Sequence, residues 1–170
     1  MSGGLARLNA LDAASAEAEL KTCCGSSRWA RAVAARRPFA DEAALFAAAD
    51  EAWWALEPDD WHEAFRAHPR IGEKKAEAGQ TAREAAWSAR EQAGMRGAGD
   101  EVAAALAEGN RAYEARFGHI YLVRATGRGA AELLEILRAR LGNDAETELR
   151  VAAGEQAKIT RLRLEKLLAG

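Results

Sequence analysis

In residues 60–72, Trp61, Ala64, Phe65 and His68 stand at i, i+3, i+4 and i+7. That spacing gathers side chains on one face of a helix. His68 therefore points where the apolar side chains point, and His62 is rotated off that face. Pro69 disfavours helical geometry at the residue before it, which puts His68 at the helix C-terminus. Partial negative charge there favours the imidazolium, whereas burial favours the neutral ring. The opposition can leave the imidazole poised near neutrality, where an acid–base group is most useful. Two readings stay open from pattern alone: an acid–base group, or a core histidine bonded to a carbonyl.

A second candidate lies near the C-terminus. On a helix, Leu149, Ala153, Ile159, Leu164 and Leu167 share one side. Gln156 and Arg163 fall within that stripe, while Arg150, Lys158 and Arg161 fall elsewhere. An inward guanidinium must be paired or must face a polar pocket. Arg163 is thus either half of a buried salt bridge or an anchor for an anionic substrate. A third group, Ser88, Glu91 and Gln92, clusters at i, i+3 and i+4 on a helix whose other side is alanine. By pattern this group reads as a solvated polar face.

The elements that must position these residues are nearly all helical. Helices are expected over about 5–24, 29–36, 41–56 with Asp41 as N-cap, and from Pro58 and Asp60 to Pro69. In the fourth, Glu63 stands three residues after Asp60, as in a capping box. Further helices are expected over 83–93, from an Asp100 cap to about Gly118, over 130–141, and over 144–168. Residues 119–125 are β-prone and read as a strand or an extended loop. Trp53 and Trp54 are both expected to face the core. The fold class is all-α, a compact single-domain bundle of about eight helices over residues 1–170.

Composition narrows the function classes. The 170 residues are 49% hydrophobic with a net charge of −2, so a basic face for nucleic acid is not expected. No stretch is apolar over the roughly 20 residues of a membrane span. Cys23 and Cys24 are the only cysteines, which excludes a disulfide framework and fits a reducing compartment. No CxxC or HExxH spacing suggests a metal site, and no signal-peptide core opens the chain. The expected location is cytoplasmic.

Taken together, the motifs resemble those of the 2-oxo-4-hydroxy-4-carboxy-5-ureidoimidazoline (OHCU) decarboxylases. The resemblance is carried by Cys23-Cys24-Gly25-Ser26, Arg28-Trp29-Ala30 and Arg37-Pro38-Phe39, and by Asp60-Trp61, Glu63-Ala64-Phe65 and His68-Pro69-Arg70-Ile71-Gly72. It continues through Ser88 with Glu91-Gln92-Ala93, Arg116-Phe117-Gly118, Ala125-Thr126-Gly127-Arg128, Glu148-Leu149, Glu155-Gln156, Lys158-Ile159 and Leu162-Arg163-Leu164. It runs from about residue 8 to 168. Some relatives read His-Pro-Asp-Leu-Ala-Gly where this chain has residues 68–73.

The resemblance implies decarboxylation of OHCU to (S)-allantoin and carbon dioxide in urate breakdown, with neither metal nor organic cofactor. It implies His68, Glu91 and Arg163 as the catalytic set. Substrate contacts would come from Pro69, Ser88, Gln92 and the backbone of Tyr121, Val123 and Ala125. A homodimer is implied, and an association with the preceding hydrolase of the pathway is conceivable because the substrate decays spontaneously. Two other readings stay open: a non-catalytic helical interaction module, and another ring-opening or proton-transfer step of ureide metabolism.

Overall fold

A computed structural model describes residues 3–71 and 99–170. Among these residues there are eight helices and no strand. They are α1 (Gly3–Ala10), α2 (Ala13–Lys21), α3 (Ser27–Ala34), α4 (Glu42–Trp54), α5 (Pro58–Arg66), α6 (Asp100–Phe117), α7 (Ala130–Arg140) and α8 (Ala145–Ala169). The fold class is all-α, as expected. The helix expected over 83–93 lies outside the described residues.

The chain divides into two compact units. The first comprises residues up to Ala64 together with Ala157–Gly170, and the second Phe65–Gln156. Helix α8 contributes residues to both.

In the first unit the chain turns where side chains can cap helix ends. The single helix expected over 5–24 is two helices, because Asp12 interrupts it. Its carboxylate accepts from Ser15 N at 2.7 Å and starts α2. Arg37 Nη1 donates to the carbonyls of Leu8 and Leu11 at 2.9 and 2.6 Å, satisfying acceptors that the break leaves over. Asp41 caps α4 as expected, accepting from Ala44 N at 2.8 Å. The capping contact of α5 sits three residues earlier than expected. Asp60 reaches back to Glu57 N at 3.2 Å, while Glu63 accepts from the backbone and hydroxyl of Ser27 at 3.1 and 3.0 Å. Trp29, Trp53 and Trp61 are buried, but Trp54 is 45% exposed. Adjacent residues on a helix project about 100° apart, so Trp53 and Trp54 cannot share one core.

In the second unit, α6 and α7 pack closely enough that a Cβ on Gly109 would lie 2.4 Å from Leu137 Cδ2. Gly99, not Asp100, is the N-cap of α6, and Asp100 opens the helix itself. Gly118 ends it in the left-handed conformation (φ 77°), with its N–H bonded to Glu114 O. The β-prone segment that follows has no regular secondary structure and pairs with no strand among the described residues. Its polar groups bond to helix residues instead. Arg140 Nη1 donates to Leu122 O at 2.7 Å, Arg124 N donates to Glu155 Oε1 at 3.0 Å, and Tyr121 Oη donates to Leu133 O at 2.8 Å. At Leu122 O and Arg124 N, side chains take the place of the rungs a sheet would supply.

Candidate functional site

Trp61, Ala64, Phe65 and His68 are all buried, as the spacing requires, and His62 is half-buried. Helix α5 ends at Arg66. His68 N closes a tight turn onto Phe65 O at 3.1 Å, and the buried Pro69 blocks a further helical turn. The turn is fastened on both sides of Pro69. Beyond it, Arg70 grips Glu114 of α6 through Nε and Nη2 at 2.7 and 2.9 Å, and Asn110 Nδ2 donates to Ile71 O at 3.2 Å. Before it, His68 Nε2 lies 2.7 Å from Oε1 of the fully buried Gln156. The imidazole thus meets a neutral amide from α8 through Nε2.

Arg163, in the first unit, is 4% exposed, whereas Arg161 and Lys158 face solvent. The stripe deduced from periodicity therefore separates the arginines correctly. Arg161 lies over the Phe46 ring at 3.7 Å and pairs with Glu165 at 3.0 Å. The surroundings of Arg163 include the buried thiol of Cys24. Burial pushes that thiol up to about 12. Hydrogen bonds from Ser26 N–H and the Thr160 hydroxyl, and the positive charge of Arg163, pull more weakly the other way. Cys24 is thus a protonated thiol at neutral pH, unsuited to act as a nucleophile.

Tyr121, Val123 and Ala125 are buried, each at 4% exposure or less. Their side chains join a core with Leu106, Tyr113, Leu133 and Leu137, so the backbone of this segment is the part suited to hold a small polar molecule. His119 is packed among rings, with centroids 5.3 Å from Phe65 and 5.5 Å from Tyr113. Ser88, Glu91 and Gln92 lie outside the described residues. His68 and Arg163 belong to different units.

Sequence reasoning missed one buried polar cluster. Arg140 donates to Glu148 Oε2 through Nε at 2.7 Å and Nη2 at 2.5 Å. Tyr113 Oη donates a very short hydrogen bond to the same oxygen. Asn143 Nδ2 donates to the other carboxylate oxygen at 3.0 Å. The Arg140 guanidinium also lies 5.0 Å from the Tyr121 ring centroid. Burial, followed by the bond to Glu148, drives the Tyr113 hydroxyl far above its ordinary range, so it remains a donor. A signal existed, since Glu148 lies in line with Ala152, Glu155, Gln156 and Ile159 at helical spacing.

Among the described residues, no group of three or more His, Cys, Asp or Glu side chains is placed to hold a metal ion. No described helix is long and apolar enough to cross a membrane. A surface hollow lined by Ala43, Phe46, Ala47, Asp50 and Arg161 contains none of the expected site residues.

Comparison with known proteins agrees with the motif series. A family model described as OHCU decarboxylase matches residues 9–165. The uric acid degradation bifunctional protein TTL of Arabidopsis thaliana is 35% identical over 153 residues, 90% of this chain. The chain spans 47% of that protein's length. A putative 2-oxo-4-hydroxy-4-carboxy-5-ureidoimidazoline decarboxylase of Homo sapiens is 36% identical over 145 residues, covering 82% of this chain and 80% of its own. A crystal structure of an OHCU decarboxylase in the presence of (S)-allantoin superposes with a TM-score of 0.75 at 35% identity, over 89% of this chain and 98% of that one. An (S)-allantoin synthase shares the fold at 18% identity, with a TM-score of 0.72 over 96% of this chain and 53% of that one. With a family model spanning nearly the whole sequence, and two relatives above 30% identity, the chain belongs to the OHCU decarboxylase family.

Proposed function

We propose that this chain decarboxylates 2-oxo-4-hydroxy-4-carboxy-5-ureidoimidazoline, giving (S)-allantoin and carbon dioxide in urate degradation. The observation that carries the reading is a buried histidine, fixed by a buried amide, inside a chain that matches the family from residue 9 to 165. The chemistry follows from the substrate. Its carboxylate leaves a ring carbon that also bears a hydroxyl. The electron pair left behind forms a double bond to the neighbouring ring carbon, and the adjacent C=N accepts the displaced pair at nitrogen. The substrate supplies its own electron sink, so the reaction needs no organic cofactor to stabilise a carbanion. Collapse of the hydroxyl to a carbonyl then requires a proton on the carbon that carries the ureido group.

The protein's task is to orient the ring and to deliver that proton to one face. His68 is the general acid–base group that delivers it and sets the (S) configuration. Glu91 holds ureido or ring N–H groups, and Arg163 favours negative charge that develops on the ring. A grip on the departing carboxylate alone would stabilise the ground state and slow the reaction. Pro69, Ser88, Gln92 and the backbone of Tyr121, Val123 and Ala125 supply the remaining contacts.

The reading extends to one catalytic domain over residues 1–170 that works as a homodimer. A cytoplasmic location fits the two free cysteines. Because the substrate decays unaided to racemic product, handover from the preceding hydrolase would favour the enzyme. Absence of both physical association and rate coupling between the purified proteins would remove that last element.

The test is to generate the substrate from urate with urate oxidase and the hydrolase, add this protein, and follow circular dichroism. Rapid appearance of optically active (S)-allantoin is expected. Racemic product at the uncatalysed rate, from folded protein, would sink the reading.

A further inference from the structure

The 2.7 Å approach of Gln156 Oε1 to His68 Nε2 is made at a fully buried amide. A carboxamide oxygen only accepts hydrogen bonds, so the ring nitrogen facing it must carry a proton. In the neutral imidazole that places the hydrogen on Nε2 and the lone pair on Nδ1. The arrangement is firmly built. Glu155, next to Gln156 on α8, accepts from Arg124 N of the 119–125 segment at 3.0 Å. Glu148, two turns earlier on the same helix, holds Leu122 O through Arg140. One face of α8, within the second unit, therefore registers His68 against the backbone of residues 121–125. The turn carrying His68 is fixed independently through Arg70 and Ile71.

We propose that Gln156 is a positioning residue that holds His68 in the Nε2–H tautomer for its acid–base step. The assignment deepens the decarboxylase reading and rests on it for its catalytic meaning. The tautomer itself does not depend on that reading. An amide suits this role better than a carboxylate would. It fixes the ring and its hydrogen without adding a negative charge of its own beside the imidazole.

The experiment is ring 15N–1H correlation NMR of the full chain, recorded at a pH where His68 is neutral. Its signal is identified by its loss in His68→Asn. The expected pattern is a protonated Nε2 and an unprotonated Nδ1. In Gln156→Met, which keeps the volume and removes the acceptor, the ring should shift toward a mixture of tautomers. Under the circular dichroism assay, kcat of that variant should fall about tenfold, with KM changed by less than about threefold. Gln156→Glu restores an acceptor and should return the hydrogen to Nε2. A neutral ring protonated on Nδ1 in the unaltered protein would overturn the proposal, as would an unchanged kcat in Gln156→Met. If the unaltered protein has the Nε2–H ring but produces no (S)-allantoin, the tautomer assignment stands and the decarboxylase reading is what fails.

Discussion

Two buried polar clusters of the second unit invite comparison. In one, Arg140, Glu148 and Tyr113 are committed to each other, with Asn143 on the remaining carboxylate oxygen and Leu122 O taking a spare guanidinium N–H. In the other, an imidazole meets an amide, a partner that does not titrate. Both are nearly or wholly excluded from solvent. The first holds opposite charges in direct hydrogen-bond contact, which suits a brace. The second joins a titratable ring to an amide that carries no charge. Burial and strong hydrogen bonds are common to both, so neither marks the chemistry. The kind of partner does.

The comparison is broken most forcefully from the structural side. Arg140→Met or Glu148→Leu alone leaves an uncompensated buried charge, and each should cost about 3–5 kcal/mol in chemical denaturation. The double variant should recover much of that loss, because apolar side chains fill the space without a charge to desolvate. If the double variant is as unstable as the worse single one, the pair is not a self-contained brace. His68→Asn should behave in the opposite way. Its stability should fall by at most about 1–3 kcal/mol, the cost of leaving a buried acceptor unmet, while stereoselective turnover falls by about 10²- to 10⁴-fold. Near-normal formation of (S)-allantoin by folded His68→Asn would place the acid–base work elsewhere.

The same contrast explains what could be read from the sequence. His68, Gln156 and Arg163 sit on apolar stripes, and helical periodicity turns a stripe into burial with few assumptions. The Asp41 cap and the helix end near Gly118 are similarly local. Arg140 and Glu148 belong to different helices, and nothing in one helix announces which charge on another will reach it. Asp12 divides an alanine-rich stretch whose periodicity runs through the break, so only the side chain's hydrogen bond to Ser15 N reveals the boundary. The 119–125 segment has strand composition but no strand to join among the described residues, and it is held by Arg140, Glu155 and the carbonyl of Leu133. Glu91, outside the described residues, falls in a polar sequence pattern that reads as solvated surface; family likeness alone singles it out.

Cys24 supplies a milder test on the first unit. Its thiol is raised by burial to about 12 from the ordinary 9.0. The unfolded chain therefore loses this proton at lower pH than the folded one. The contribution of Cys24 to stability is complete below about 9 and declines as pH rises toward about 12. At pH 8, alkylation of Cys24 should proceed only as fast as the protein opens. Rapid labelling of the native protein at Cys24, read by mass spectrometry, would contradict the buried-thiol account.

The smallest effect on stability is expected at Arg70, and it sharpens the distinction between holding a fold and holding a site. Its bidentate pair with Glu114 is well formed, but the side chains are 46% and 25% exposed. Water and salt screen such pairs, so Arg70→Ala should cost at most about 1 kcal/mol, with the difference shrinking as ionic strength rises. Asn110 continues to hold Ile71 O, so the turn should persist. What the pair restrains is the chain two residues beyond His68, and a small displacement there alters the angle at which the ring meets its substrate. Turnover should therefore decline by a larger factor than stability predicts, with kcat affected more than KM. Equal, salt-insensitive losses in stability and turnover would instead make Arg70 part of the structural brace.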